Sequence, residues 1–223
     1  QPLYGSEQYH AGIVGTDGFT PSQGGLEYKQ FMLEITKLRN SFAPETKMPE
    51  KLANRKTAIL WNLENWWDLD FQKQTSQWNT FNHMNKYMEG VLSCGAPLDI
   101  IGEKDNFAEY KVLVVPAYQL VDSLLVARFT KYVQEGGHLI ISCRTAQKNR
   151  DGQLWQAKWA GPILKLIGAQ IEFFDLMIPE TKGIVKMKEK VYNWNNWADV
   201  LLADSGTTSV ATYENQFYKG KIA

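Results

Sequence analysis

One cysteine stands where a parallel α/β sheet could use a nucleophile. Lys111–Pro116 is an apolar run (Val112, Leu113, Val114, Val115), Asp122–Glu135 is amphipathic, Gly136–Gly137 breaks the chain, and His138–Ser142 is a second apolar run ending in Cys143. A strand, a helix, a strand and then a thiol match the place where class I glutamine amidotransferases carry their nucleophile. Such a thiol needs a base, normally a histidine farther along. The histidines are His10, His83 and His138, and none follows Cys143. A nucleophile elbow also needs small residues two before and two after the nucleophile, and those positions hold Ile141 and Thr145. The plain reading is a buried sheet-end thiol. The rival is a cysteine-dependent hydrolase or amidotransferase-like enzyme using Cys143.

Other chemistry is thinner still. The turn after the first strand, Asn62-Leu63-Glu64-Asn65-Trp66-Trp67, has no glycine, so backbone amides cannot close on a pyrophosphate. Pro116-Ala117-Tyr118-Gln119 is no better, and the crevice beyond the strand ends reads as filled with bulk. Three scattered histidines and two distant cysteines offer no metal-ligand spacing, so no metal and no cofactor is expected. Glu7 and His10, three residues apart before a glycine-rich loop, could converge on one polar ligand or simply hold loop backbone.

The elements that must position these residues follow from periodicity. Leu26–Leu38 has Phe31, Ile35 and Leu38 at helical spacing. Asn40–Lys56, with Pro44 and Pro49, reads as a linker. Strands are expected at Thr57–Trp61, Leu98–Ile101, Lys111–Val115, His138–Ser142 and Gln170–Phe174. Helices are expected at Gln72–Ser93, Asp122–Glu135 and Trp155–Ile167. Alternation of this kind implies right-handed crossovers and a doubly wound, mostly parallel sheet with helices on both faces, of flavodoxin-like or class I amidotransferase-like type. Beyond Phe174 the pattern weakens: Ile184–Met187 and Ser209–Tyr213 look like strands, Asn196–Leu202 like a short helix. Phe217–Ala223 reads as a hairpin partner that stops short, which suggests a cut fragment.

Composition narrows the partners. Lysine plus arginine and aspartate plus glutamate each total 24 in 223 residues. That balance provides no basic field for nucleic acid or an anionic membrane. No run approaches the ~20 apolar residues of a membrane span, and the compartment is left open. Six of the eight tryptophans fall in pairs, Trp66/Trp67, Trp155/Trp159 and Trp194/Trp197. They suit core packing, a subunit interface or a sugar-stacking lip.

Taken together, several segments resemble glycoside hydrolase family 42 β-galactosidases. Gly5-Ser6-Glu7-Gln8-Tyr9-His10-Ala11-Gly12 is similar to the loop leaving the last strand of that family's catalytic barrel, and Gly24-Gly25 with Leu26–Leu38 to its closing helix. Ala58–Trp67, Tyr110–Ala117, Gly136–Ile140, Gly161-Pro162 with Leu166-Ile167-Gly168, and Ala211–Tyr213 with Phe217–Gly220 resemble landmarks of its middle, trimerisation domain. The resemblance implies a barrel remnant at 1–40, a linker at 41–56 and the α/β domain at 57–223. It implies a non-catalytic oligomerisation domain, trimeric in a parent that cleaves terminal β-galactosides with retention. That chemistry uses two carboxylates about 5 Å apart, which the family carries on barrel strands this chain lacks. By the same resemblance Glu7 and His10 contact galactose hydroxyls when the barrel is present. Trp66 and Trp67 are the aromatics expected at an interface or pocket lip.

Overall fold

A computed structural model describes residues 12–15, 17–42, 46–47 and 49–223. The chain divides into two compact units, Gln1–Met48 and Pro49–Ala223.

In the first unit, helix α1 (Gln23–Asn40) is capped by Ser22, whose Oγ accepts from Gly25 N–H. Gly25 is required there: a Cβ would lie 1.9 Å from the Ile13 carbonyl oxygen. The helix is longer than its apolar spacing predicted, and Phe31, Leu33 and Leu38 on it are exposed.

The second unit opens with the short helix α2 (Glu50–Ala53), inside the stretch read as a linker. Four parallel strands follow: β1 (Thr57–Leu60), β2 (Leu98–Ile101), β3 (Val112–Val115) and β4 (His138–Ile141), in the order β2-β1-β3-β4. Every residue of β1 is buried, which explains why its run is apolar throughout rather than alternating. Helices α3 (Leu63–Phe71) and α4 (Thr80–Ser93) connect β1 to β2, and α5 (Ser123–Gln134) connects β3 to β4. The β2–β3 crossover carries only a single 3₁₀ turn, Phe107–Glu109, whose Phe107 stacks on Phe129 of α5. Leu60, Leu113, Val115, Leu125 and Phe129 form the centre of the core, each contributing roughly 1.5–3 kcal/mol by leaving water.

Three expectations are corrected. The helix expected at 72–93 begins only at Thr80, because Gln74 takes a left-handed φ of 67° and Asn79 caps the start of α4 by accepting from Asn82 N–H. Trp155–Ile167 is mostly irregular, with a 3₁₀ turn at Gly161–Ile163 and one helical turn, α6 (Leu164–Ile167). Asn196–Leu202 is not helical: β8 (Trp197–Ala203) pairs antiparallel with β5 (Ala169–Leu176), so β5 is no extension of the parallel sheet. Pairing along the length of β5 outweighs the high helix propensity of Ala198, Leu201 and Leu202.

A three-stranded antiparallel sheet, β7-β6-β9, completes the unit: β6 (Gly183–Met187), β7 (Lys190–Trp194) and β9 (Ala211–Tyr213). The last residues fold onto it. Tyr213 N–H donates to Lys221 O, Ala223 N–H to Ala211 O, and buried Tyr218 donates its hydroxyl to Asp175 Oδ2 at 2.7 Å.

Candidate functional site

The carboxyl ends of β1, β3 and β4 are closed by buried polar ties. α3 begins directly after Trp61, with Asn62 Oδ1 accepting from Asn65 N–H. That start aims buried Asn65 at the loop after β3, where its Nδ2 donates to Ala117 O and its Oδ1 accepts from Gln119 N–H and Leu120 N–H. One turn later Asp68 pairs with buried Lys148 at 2.8 Å and accepts from Gln119 Nε2. A ligand at this usual crevice would have to displace a fully bonded network.

Arg144 locks the turn after β4. It is 1% exposed and donates to Gln72 O (2.7 Å), Lys73 O (3.1 Å) and Gln119 Oε1 (3.1 Å). Its guanidinium carbon lies 4.4 Å from the Trp78 ring centre and 5.3 Å from that of Trp197, the arrangement of a double cation–π contact. Burial lowers the guanidinium to about 10, so it stays charged at neutral pH. From Trp197 the aromatic stack continues through Phe174 to Trp159, both at 4.8 Å.

Cys143 precedes this arginine. The left-handed backbone of the turn falls on Arg144 (φ 61°) and Ala146 (φ 58°) rather than on the cysteine. Burial pushes the Cys143 thiol far above its ordinary range, and the nearby Asp199 carboxylate adds to the effect. A protonated buried thiol is neither a nucleophile nor a metal ligand.

A histidine does reach this turn, from upstream in the chain. His83 Nε2 lies 3.0 Å from Ser142 Oγ, which also accepts from Ala117 N–H at 2.7 Å. Burial, reinforced by Lys86 and Arg144, lowers the imidazole to about 4, so a neutral ring pairs with the Ser142 hydroxyl. His83 packs against Trp78 (4.8 Å) and Tyr87 (5.3 Å), whose hydroxyl burial pushes up to about 12. No hydrogen bond to a carboxylate orients the imidazole among the described residues, so the pair is held as a clamp between α4 and β4 without the third member of a triad. Beside it opens a cleft of about 400 Å³ between α4 and the Asn195–Trp197 turn, with Cys143 and His83 on its wall. This corrects the expectation of a crevice filled throughout: the bulk sits at β1 and β3, and space remains beside β4.

A family model described as the beta-galactosidase trimerisation domain matches residues 55–223. The chain belongs to that family. Beta-galactosidase BgaH of Haloferax lucentense is 26% identical over 202 residues, 91% of this chain and 28% of that protein. Beta-galactosidase GanA of Bacillus subtilis is 26% identical over 220 residues, 96% of this chain and 31% of that protein. Among solved structures, the beta-galactosidase of Halorubrum lacusprofundi superposes with a TM-score of 0.77 at 22% identity, over 99% of this chain and 31% of that one. That of Marinomonas ef1 gives 0.71 at 22%, over 100% and 35%. At such identities the structural likeness shows the fold. The chain spans about a third of the length of the relatives it matches.

Within the trimerisation domain, Trp66 and Trp67 lie side by side on α3 and face differently. Trp66 is half-buried, donates Nε1–H to Asp70 at 2.8 Å and meets Phe81 at 6.0 Å; Trp67 is 61% exposed. Glu7 and His10 fall outside the described residues. Among the described residues no three His, Cys, Asp or Glu side chains gather as a metal site, and no helix is long and apolar enough to cross a membrane. Nothing favours the cysteine-dependent alternative. Arg144 and His83 were missed by sequence reasoning, the first because nothing local marks an arginine as buried, the second because only histidines downstream of Cys143 were weighed.

Proposed function

We propose that this chain supplies the non-catalytic assembly unit of a β-galactosidase-like hydrolase whose whole form cleaves terminal β-galactosides. The family match over residues 55–223 carries the reading. It is supported by strand ends committed to structural ties, where a catalytic member of such a fold would keep an open nucleophile. The parallel sheet order β2-β1-β3-β4 suits a flavodoxin-like or amidotransferase-like scaffold retained for its shape. In this reading residues 57–223 form the assembly domain, 41–56 the linker and 1–40 the end of a catalytic barrel. Glu7 and His10 then contact galactose hydroxyls only with that barrel around them. Exposed Trp67, with Trp66 behind it, lies at a subunit contact or pocket lip, self-association being trimeric. Nucleic acid and membranes are not partners. Light scattering on the purified chain tests the reading. A mass three times 25.5 kDa is expected, and Trp67→Ala is expected to shift the population toward monomer. A monomer at every concentration would overturn self-association by this unit.

A further inference from the structure

We propose that the cleft between α4 and the Asn195–Trp197 turn is a binding site for a neutral, polyhydroxylated ligand of mono- to disaccharide size. Its lining lies wholly within the second unit, between residues 77 and 197, and the site goes beyond the assembly role. Its volume, about 400 Å³, falls in the range of small-molecule sites.

The lining is unusual in kind. Gln77, Asn79, Asn82, Asn85, Asn195 and Asn196 bring six side-chain amides to one cleft. Each amide offers both donors and acceptors, which matches hydroxyls that must do both. The charges cancel: Lys86 and Glu89 line the same wall, and His83 and Cys143 are both neutral there. A phosphate or carboxylate ligand finds no net positive charge. The buried indoles of Trp78 and Trp197 also border the cleft, but their rings are packed against Arg144, His83 and Phe174, so the recognition rests on the amides.

The amides are placed by two independent elements. Asn79, Asn82, Lys86 and Glu89 recur at three- and four-residue steps, so α4 turns a continuous polar face to the cleft. Asparagine is a poor helix former, yet α4 carries Asn82 and Asn85 in its first turns, both lining the cleft. Opposite, Asn196 holds a left-handed φ of 86° between β7 and β8, fixed by Met177 N–H donating to its carbonyl. Its side-chain Oδ1 is buried and has no partner. Of the buried side-chain atoms left unpaired among the described residues, it is the one whose residue lines the cleft. A turn of the Asn196 side chain would present this orphaned acceptor to a hydroxyl donor from a ligand in the cleft.

Saturation-transfer difference NMR on the 223-residue chain, with galactose and lactose as probes and inorganic phosphate as the charged control, tests the site. Saturable transfer to a sugar is expected with a Kd on the order of 1–10 mM, as for a small ligand held by a few hydrogen bonds. Phosphate, followed by its phosphorus line width, is expected to show no binding. Asn196→Gly keeps the left-handed backbone and removes the orphaned oxygen; Asn82→Ala leaves the cap at Asn79 intact because that cap uses the backbone N–H. Each is expected to weaken binding about fivefold, the loss of one hydrogen bond, with the thermal midpoint retained. If Asn196→Gly fails to fold, Asn82→Ala alone decides. No saturable transfer to either sugar, or unchanged affinity in the folded variants, would overturn the site. Neither result bears on oligomeric mass, so this site and the assembly role fail separately.

Discussion

Replacing Arg144 should damage this domain more than any other single change at the strand ends. Its guanidinium satisfies two backbone carbonyls of the α3–α4 connection and the Gln119 side chain, and it lies between two indoles. Hydrogen bonds to a charged group contribute ~1.5–3 kcal/mol each, and a desolvated cation–π contact about 2 kcal/mol. These do not add, and removing a buried cation relieves part of its desolvation cost. Arg144→Met fills the volume but leaves three acceptors without donors, so the expected loss is about 3–5 kcal/mol. Arg144→Lys keeps the charge while losing the planar fork and stack, for an expected loss of about 2 kcal/mol. Urea unfolding followed by tryptophan fluorescence, with the slope checked for constancy, measures both. A loss under ~1 kcal/mol in the methionine variant would refute the idea that Arg144 ties the turn. A double-mutant cycle with Trp78→Leu should then show coupling on the order of 1 kcal/mol.

Iodoacetamide at neutral pH should label exposed Cys94 quickly and the protonated Cys143 thiol far more slowly, and equal rates by mass spectrometry would restore a reactive Cys143. The pH dependence contains two opposed contributions. His83 is depressed from 6.5 to about 4, so its stabilisation is complete above pH 6.5 and is lost as pH falls toward 4. Asp199 is raised by burial from 3.8 to about 6, so its penalty above pH 6 is relieved as pH falls toward 3.8. Each is worth about 3 kcal/mol, so His83→Gln should gain stability relative to the parent between pH 6.5 and 4. Asp199→Asn should lose it over the same interval, and parallel pH profiles for all three would contradict this. Gly183 faces the Trp194 indole, which an added Cβ would meet at 2.0 Å. Gly183→Ala should therefore cost ~1–3 kcal/mol by overpacking, read from the same urea curves.

The four parallel strands and α5 were legible because local pattern and tertiary role agree. Val112–Val115 is apolar because both sheet faces are covered, and Asp122 announces α5 by accepting from Leu125 N–H. The antiparallel half was not legible in the same way. Trp197–Ala203 carries residues that suit either state, and only β5 across from it decides. α3 was missed although Asn62 stands at a capping position straight after β1, because Trp66 and Trp67 drew attention as surface features. At the site, chain order misled: His83 lies far upstream of Cys143 yet sits against its neighbour Ser142. The conclusion that Cys143 lacks a catalytic partner stands on burial and thiol protonation rather than on missing histidines.

The central claim concerns assembly, and absolute molar mass measures it most directly. Multi-angle light scattering over a dilution series should give three times 25.5 kDa at high concentration, with dissociation eased by Trp67→Ala. A folded chain that stays at 25.5 kDa at every concentration would contradict the account.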